Sequence, residues 1–387
     1  MSLLPASVRA LQETAARIAR EVLAGEAPSV DAEARWPERS LAAVAEAGLL
    51  GLHVPRRLGG LDEGMLALVV VAEELARECP SSALCYGMHC VATAVLAAKA
   101  TPHHEESYLR PIAEGKHFTS LALSEAGTGV HFYWPQTRLE RDGDTYIVTG
   151  TKQFVTSGGF AQSYVVTTAS SRPGTGEAGE FSALVIDNGT PGVRWSGDWR
   201  GFGMRGNASK ALELAGARVP RAQLLGKEGD EVWYVFEVIA PYFLMAMSGV
   251  YLGIAAAALD VVITDLQERV HAHTGATLSA EPVVQHRIAD LWIRVQQARE
   301  LVRAAARSAD LGDPAALPAL LASKAAASTA AVDVVNEAMT LGGGRAYRDN
   351  GRLSQMLRDA RAGHVMAPTT DILKVWLGRS LLGEPLL

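Results

Sequence analysis

The sequence predicts an α+β fold laid out as helices, then strands, then helices, and three observations carry that expectation. Apolar residues recur at three- and four-residue spacings from Ser7 to about Lys116, the apolar period shifts towards two from about His117 to Gly226, and long alanine-rich helical runs fill the rest. A chain of 387 residues exceeds what one core usually serves, so two or three packed units are expected, and the pattern divides them as a helical domain over 1–116, a β domain over 117–226 and a second helical domain over 227–387. The missing βα alternation excludes a doubly wound sheet. No Gly-x-Gly-x-x-Gly follows a strand and opens a helix, and no Walker-type loop is present, which disfavours the common nucleotide folds.

In the first unit the helical pattern is clearest in LQETAARIAREVL, SLAAVAEAGLL and MLALVVVAEELAREC, with breaks expected at Pro28, Pro55 to Gly60 and Pro102. In the second, TYIVTG, SYVVTTA, FSALVIDN and ALELAGARV read as strands, and the loop Ser170 to Glu180 has the composition of an exposed hairpin tip. Two runs there end in glycine and hydroxyl residues: LALSEAGTG (Leu121 to Gly129) and GTKQFVTSGG (Gly150 to Gly159). Such endings let a flat or anionic ligand approach backbone donors. The Asp142-Gly143 turn in RDGDTYIV is a strong hairpin signal, so the two runs are expected to pair as strands with both glycine-rich edges on one side. In the third unit, GVYLGIAAAALDVVITDLQERV and EPVVQHRIADLWIRVQQARELVRAAARSA are long helices.

A net charge of −6 and a pI near 6.0 give no basic field for nucleic acid. No eighteen consecutive apolar residues occur, and the start lacks an apolar segment with a small-residue cleavage site, so a cytoplasmic protein without a membrane span is expected. Cys79, Cys85 and Cys90 crowd one helical segment without metal-ligand spacing and read as buried free thiols; no metal is expected.

Seven motifs then occur in fixed order: GLHVPRRLGG (Gly51 to Gly60), LALSEAGTG, GTKQFVTSGG, GFGMRGNA (Gly201 to Ala208), VPRAQLLG (Val219 to Gly226), LGGGRAY (Leu341 to Tyr347) and MLRDAR (Met356 to Arg361). Together they make the chain resemble the acyl-CoA dehydrogenase superfamily of flavoproteins over essentially its full length. The resemblance implies an N-terminal helical domain, a middle antiparallel β domain and a C-terminal four-helix bundle. It also implies FAD held between the middle domain and the C-terminal helices of two subunits, usually in a homotetramer. By the same resemblance Ser124, Gly129, Phe154, Thr156, Arg269, Gln285, Gly342, Gly343, Thr369 and Asp371 match cofactor-binding positions. Phe154 would stack on the flavin ring, Thr156 would hydrogen-bond to it, and Arg269 would reach the pyrophosphate from a neighbouring subunit.

The chain departs from the family where the reaction is performed. Dehydrogenation beside a thioester requires a base for the α-proton. The family's glutamate, inside Tyr-Glu-Gly-Thr, falls on Met366-Ala367-Pro368-Thr369, and the alternative helical glutamate with its arginine falls on Phe243 and Leu244. The family's Gly-Ser-Asp is Gly129-Val130-His131, and a glutamine near LGGG is Met339. These changes mark Val130, His131, Phe243, Leu244, Met366 and Ala367 as a remodelled, largely apolar substrate pocket. His89 and Ser157 resemble a pocket histidine and serine of the family's reduced-flavin monooxygenase branch; His89 also reads as an ordinary core histidine, and His131 and His364 are lesser candidates.

Three functions follow. The first is α,β-dehydrogenation of an acyl thioester, on coenzyme A or a carrier protein, with a non-standard base; Glu237 lies six residues from the helical position and Asp371 is assigned to the cofactor. The second is oxygenation with reduced FMN or FADH2 supplied by a partner flavin reductase, using His89 and Ser157. The third is flavin binding without turnover. In the first case the electron acceptor would be an electron-transfer flavoprotein.

Overall fold

The structure is a computed structural model, and it describes residues 4–171, 181–229 and 232–386. Most of the expected hairpin tip at Ser170 to Glu180 lies outside the described residues.

The chain opens with α1 (Ala6–Ile18), a π-helical turn (Ala19–Leu23) and α2 (Ala24–Glu33), which follow one another without a break. The break expected at Pro28 is absent: Pro28 lies inside α2. A proline forfeits one N–H and one bond to the residue four back, and here the buried Glu26, Ala27 and Val30 around it hold the helix together. Then come α3 (Glu38–Glu46), α4 (Met65–Glu78), α5 (Pro80–Ala98), α6 (Pro102–His104) and α7 (Arg110–Ala113). Pro55 to Gly60 forms a short 3-10 turn and Pro102 opens α6, both at the expected breaks. Cys79, Cys85 and Cys90 are free and buried, and burial pushes the Cys79 thiol up to about 11.

Among the described residues eight strands follow: β1 (Thr119–Ala122), β2 (Arg138–Asp142), β3 (Thr145–Val155), β4 (Ser163–Ala169), β5 (Phe181–Asp187), β6 (Val193–Ser196), β7 (Lys210–Pro220) and β8 (Leu224–Leu225). They form two four-stranded sheets, β1-β4-β5-β8 and β2-β3-β7-β6. The Asp-Gly turn closes the β2–β3 hairpin, with Asp142 opposite Thr145 and Gly143 at φ 57°. Two expectations are corrected. LALSEAGTG and GTKQFVTSGG do not pair as strands, because β1 and β3 belong to different sheets. The partner of LALSEAGTG is β4, in parallel, so the β unit is not wholly antiparallel. A hairpin signal fixes only the strand on each side of its turn, here β2 and β3.

The last unit holds α8 (Ala240–Glu268), α9 (Pro282–Asp310), α10 (Leu317–Gly342), α11 (Arg352–Val365) and α12 (Thr370–Leu382). Three helices are long; in place of a single fourth come two short ones, interrupted at Met366 to Thr369 around Pro368. Helix α8 packs against α4, α5 and α10, joining the two helical units. That junction also holds buried charges: Glu73 of α4 pairs with Arg299 (2.7 Å) and Arg303 (3.0 Å) of α9. Asp310 caps α4 by accepting from Met65 N (2.6 Å) and Leu66 N (3.0 Å).

Among the described residues, Pro80–Ala98, Tyr234–Glu268 and Pro314–Arg345 are long and apolar enough to cross a membrane by length and composition, although none holds an unbroken run of eighteen apolar residues. Isolated Gly, Ser, Thr and Tyr residues interrupt a run without lowering its mean hydropathy much. In the fold 89%, 83% and 56% of their apolar windows are buried, as helices apolar on all sides are when they form a protein core.

Candidate functional site

The site begins with Glu125. Its carboxylate accepts from Gln136 N (2.7 Å), Thr137 N (3.2 Å), Thr137 Oγ1 (2.8 Å) and Lys152 Nζ (2.6 Å), tying the loop after β1 to β3. Burial pushes this carboxyl up, but Lys152, Thr137 and Gln136 outweigh it and hold it below its ordinary value. Burial pulls Lys152 down to about 8. Next to Glu125, Ser124 O accepts from Gln153 N at 2.7 Å, so the two glycine-edged motifs do meet, through one backbone bond rather than as paired strands. Gly129, at φ 54°, has open space where a Cβ would stand.

The pairing of β3 with β7 slips between Lys152 and Val155, and the chain bulges there. The bulge sets Phe154 at φ 56°, a costly conformation for an aromatic residue, and leaves the residue 67% exposed. A large ring held in strain towards open space needs a partner, and Trp199 touches only its edge, 6.4 Å between centroids at 87°. Thr156 is buried two residues on.

Ser157, at φ 58°, is fully buried and engaged on every side. Its N–H donates to Asn207 O (2.9 Å), its carbonyl accepts from Tyr164 Oη (2.7 Å) and its Oγ accepts from Trp36 Nε1 (3.1 Å). Behind it the GFGMRGNA turn lies on α11. A Cβ at Gly203 would stand 2.1 Å from Arg358 O, and Met204 N donates to Asp359 Oδ1 (2.6 Å), which explains why GFGM and MLRDAR come together.

His89 is fully buried on α5. Thr119 N donates to its Nδ1 (3.1 Å), and its Nε2 lies 3.0 Å from Leu50 O, which assigns the proton to Nε2. Its ring stacks on Phe118 at 4.7 Å, and burial pulls its pKa down to about 4. The imidazole is neutral and both nitrogens are engaged by backbone. The structure gives His89 the geometry of a core histidine pinning α5 to β1, and Ser157 that of a turn residue.

The C-terminal candidates form two groups. Arg269 Nη1 donates to Asp265 Oδ2 (3.1 Å) and to Gly342 O (3.0 Å), with Gly343 beside it at φ 60°. Gln285 is exposed on α9, its Nε2 donating to Ser279 O (3.1 Å), and Met339 is half-buried. In the second group Thr369 caps α12 by accepting from Ile372 N (3.4 Å), and Asp371 is exposed in the first turn, where a carboxylate suits the helix end. His364 stands one turn before that break, pulled below its ordinary value by partial burial and nearby cations.

Of the pocket candidates, Leu244 is buried, Phe243, Val130 and Met366 are half-buried, and Ala367 and His131 are exposed. Beside Val130 and His131, the stretch Phe132-Tyr133-Trp134 packs on the segment leading into α8 and on α12. Tyr133 packs on Phe236, one to two turns before Phe243, and Phe132 packs on Trp376 of α12 (centroids 5.8 and 6.5 Å). His131 Nδ1 lies 2.7 Å from Tyr133 Oη. Sequence reasoning did not assign Phe132, Tyr133, Phe236 or Trp376. Three consecutive aromatics in a chain only 6% aromatic were the available sign. Glu237, beside Phe236, is exposed.

Family models for the acyl-CoA dehydrogenase N-terminal, middle and C-terminal domains match residues 5–116, 120–217 and 244–382. The chain is 31% identical to cyclohex-1-ene-1-carbonyl-CoA dehydrogenase of Geobacter metallireducens, covering 94% of this chain and 95% of that protein. The chain belongs to the acyl-CoA dehydrogenase family. Acryloyl-CoA reductase (NADH) of Anaerotignum propionicum, another relative, is 30% identical over 96% of this chain and 93% of its own. The fold is that of butyryl-CoA dehydrogenase of Megasphaera elsdenii (TM-score 0.92, 24% identical, 99% and 100% covered). Acyl-CoA dehydrogenase family members are flavin-dependent oxidoreductases, and FAD is the family's cofactor. The strained, outward ring of Phe154 and the open space at Gly129 fit a flat cofactor on this chain.

Proposed function

We propose that this protein is an FAD-dependent dehydrogenase of acyl thioesters whose proton acceptor has moved from both usual positions. The observation that carries the proposal is the contrast between two halves of one site. Phe154 is presented on a bulge beside Ser124, which supports a flavin side there, whereas Phe243, Leu244, Met366 and Ala367 leave no carboxylate at the positions that would hold one. In this reading Phe154, Thr156, Ser124 and Gly129 cradle the ring system, and Thr369 and Asp371 border it. FAD, when bound, would supply the hydride acceptor. Relatives at 30% and 31% identity are named for reactions of acyl-CoA.

The proton falls to His131. In the tautomer whose Nδ1–H donates to Tyr133 Oη, the His131 Nε2 lone pair is free to take a proton, beside the aromatic side chains that pack on the lead-in to α8 and on α12. His131→Ala is expected to slow flavin reduction by acyl-CoA by about 10²–10⁴-fold, the usual contribution of a general base, with FAD affinity unchanged. A rate within threefold of wild type in stopped-flow reduction would move the base elsewhere, Glu237 being the next candidate. Oxygenation by reduced flavin has less support, because His89 and Ser157, the side chains it would use, are already engaged within the fold.

Arg269 favours a homo-oligomer, with a tetramer as the family pattern. It lies 26 residues along α8 from Phe243, about 39 Å at 1.5 Å per residue, too far for both to serve one flavin. Arg269, Gln285, Gly342 and Gly343 therefore serve the flavin of a second copy. Arg269→Ala is expected to weaken FAD binding by about tenfold, from the loss of one charge-assisted phosphate contact. A titration showing unchanged affinity would remove it from the site. An electron-transfer flavoprotein is the proposed electron acceptor, and a coenzyme A or carrier-protein thioester the proposed substrate.

A further inference from the structure

Lys324 lies inside α10 with no exposed surface. Its Nζ donates to Met366 O at 2.6 Å and to Pro368 O at 2.7 Å, the two carbonyls that flank Ala367. No carboxylate lies within ion-pair distance of it among the described residues, in contrast to Lys152, which has Glu125. Burial pulls the Lys324 ammonium down to about 7, so the fold holds this group against a desolvation cost. A leucine or methionine would fill the space without that cost. What neither could do is satisfy two carbonyls in a segment with no ladder of its own: Met366 O belongs to the orphan end of α11, and Pro368 has no N–H to pin the chain.

We propose that Lys324 is the positioning residue of the 366–369 segment, a strut from α10 that holds the Ala367 wall of the substrate cavity and the Thr369 cap in register with the flavin cradle. Thr369 starts α12 and Asp371 follows in its first turn, so a shift at Pro368 moves the proposed cofactor contacts and the pocket wall together. The inference rests on the proposed site for its functional meaning, while the strut itself is a property of the chain alone.

The test is hydrogen exchange on the full chain, with and without FAD, for wild type, Lys324→Met and Lys324→Gln. Two hydrogen bonds from one buried lysine contribute enough that removing both is expected to raise exchange of the amides of 366, 367 and 369–373 by at least about tenfold. Amides of β3 and the middle of α8 should be unaffected. Lys324→Gln, whose amide keeps two donors, is expected to restore most of the protection, and FAD affinity should fall in Lys324→Met and recover in Lys324→Gln. Wild-type protection of 366, 367 and 369–373 in Lys324→Met would overturn the proposal. So would loosening spread evenly over α10, α11 and α12, or a glutamine variant no better than the methionine one. If Lys324→Met does not fold, the glutamine variant decides, since wild-type exchange with loss of FAD binding would contradict the strut. The arm without FAD reads the strut even if the flavin proposal fails.

Discussion

Replacing Glu125 with alanine is expected to remove about 3–5 kcal/mol of folding stability, the range for breaking one partner of a buried ion pair. Lys152 has no exposed surface, and after the change its ammonium would keep only Thr167 Oγ1 (3.0 Å) and Leu123 O (3.4 Å). Gln136 N and Thr137 would lose their acceptor at the same time, so the loop that carries Ser124 and Gly129 should loosen and FAD affinity should fall with stability. Pairing Glu125→Leu with Lys152→Met removes both charges and should recover most of the loss, since an apolar pair is often as stable as the ions it replaces. Denaturant unfolding of the single and double variants decides it. A cost below about 1 kcal/mol for Glu125→Ala, or a double variant worse than the single, would mean the pair does not organise the loop.

The second large effect is loss of stability in mild acid. Burial pulls His53, His89 and His104 down to about 4 from 6.5. A histidine whose folded pKa lies below its unfolded value contributes stability that is complete above 6.5 and is lost as pH falls towards 4. For a shift of this size the loss is about 2 kcal/mol per histidine by pH 5. Asp359 works in the opposite direction: burial pushes it up to about 7, so its contribution is present at low pH and lost as pH rises through 7. On acidification it returns about 2 kcal/mol, leaving a net loss of about 3–4 kcal/mol between pH 7 and pH 5. Unfolding free energies at the two pH values check this. His89→Gln should remove that residue's share of the pH dependence, and equal stability at pH 7 and 5 would contradict the neutral, buried state of these rings.

The parts of the fold written locally were legible in the sequence. Period shifts separate the helical and strand units, the Asp142-Gly143 turn marks its hairpin, and Pro102 stands where a helix starts. What was not legible depends on distant partners. The parallel pairing of β1 with β4 joins strands separated by the whole β2–β3 hairpin, and nothing in either strand encodes that choice. Pro28 fails to break α2 because buried neighbours outweigh one lost hydrogen bond. At the proposed site, the motif alone puts Phe154 and Thr156 beside a flavin. The bulge that turns Phe154 outward, and the hydrogen bonds that engage both nitrogens of His89, arise from β7, Leu50 and Thr119, which no local pattern announces. The Phe132 to Trp134 stretch is legible only afterwards, since its meaning depends on Phe236 and Trp376 far along the chain.

The proposed function couples a flavin side to a thioester-oxidising pocket without the usual glutamate. Its most direct test is anaerobic titration of the FAD-loaded protein with a panel of saturated acyl-CoA and acyl-carrier-protein thioesters, following the oxidised-flavin absorbance. Bleaching by at least one thioester is expected, slowed in His131→Ala. Full retention of FAD with no bleaching across the panel would contradict it.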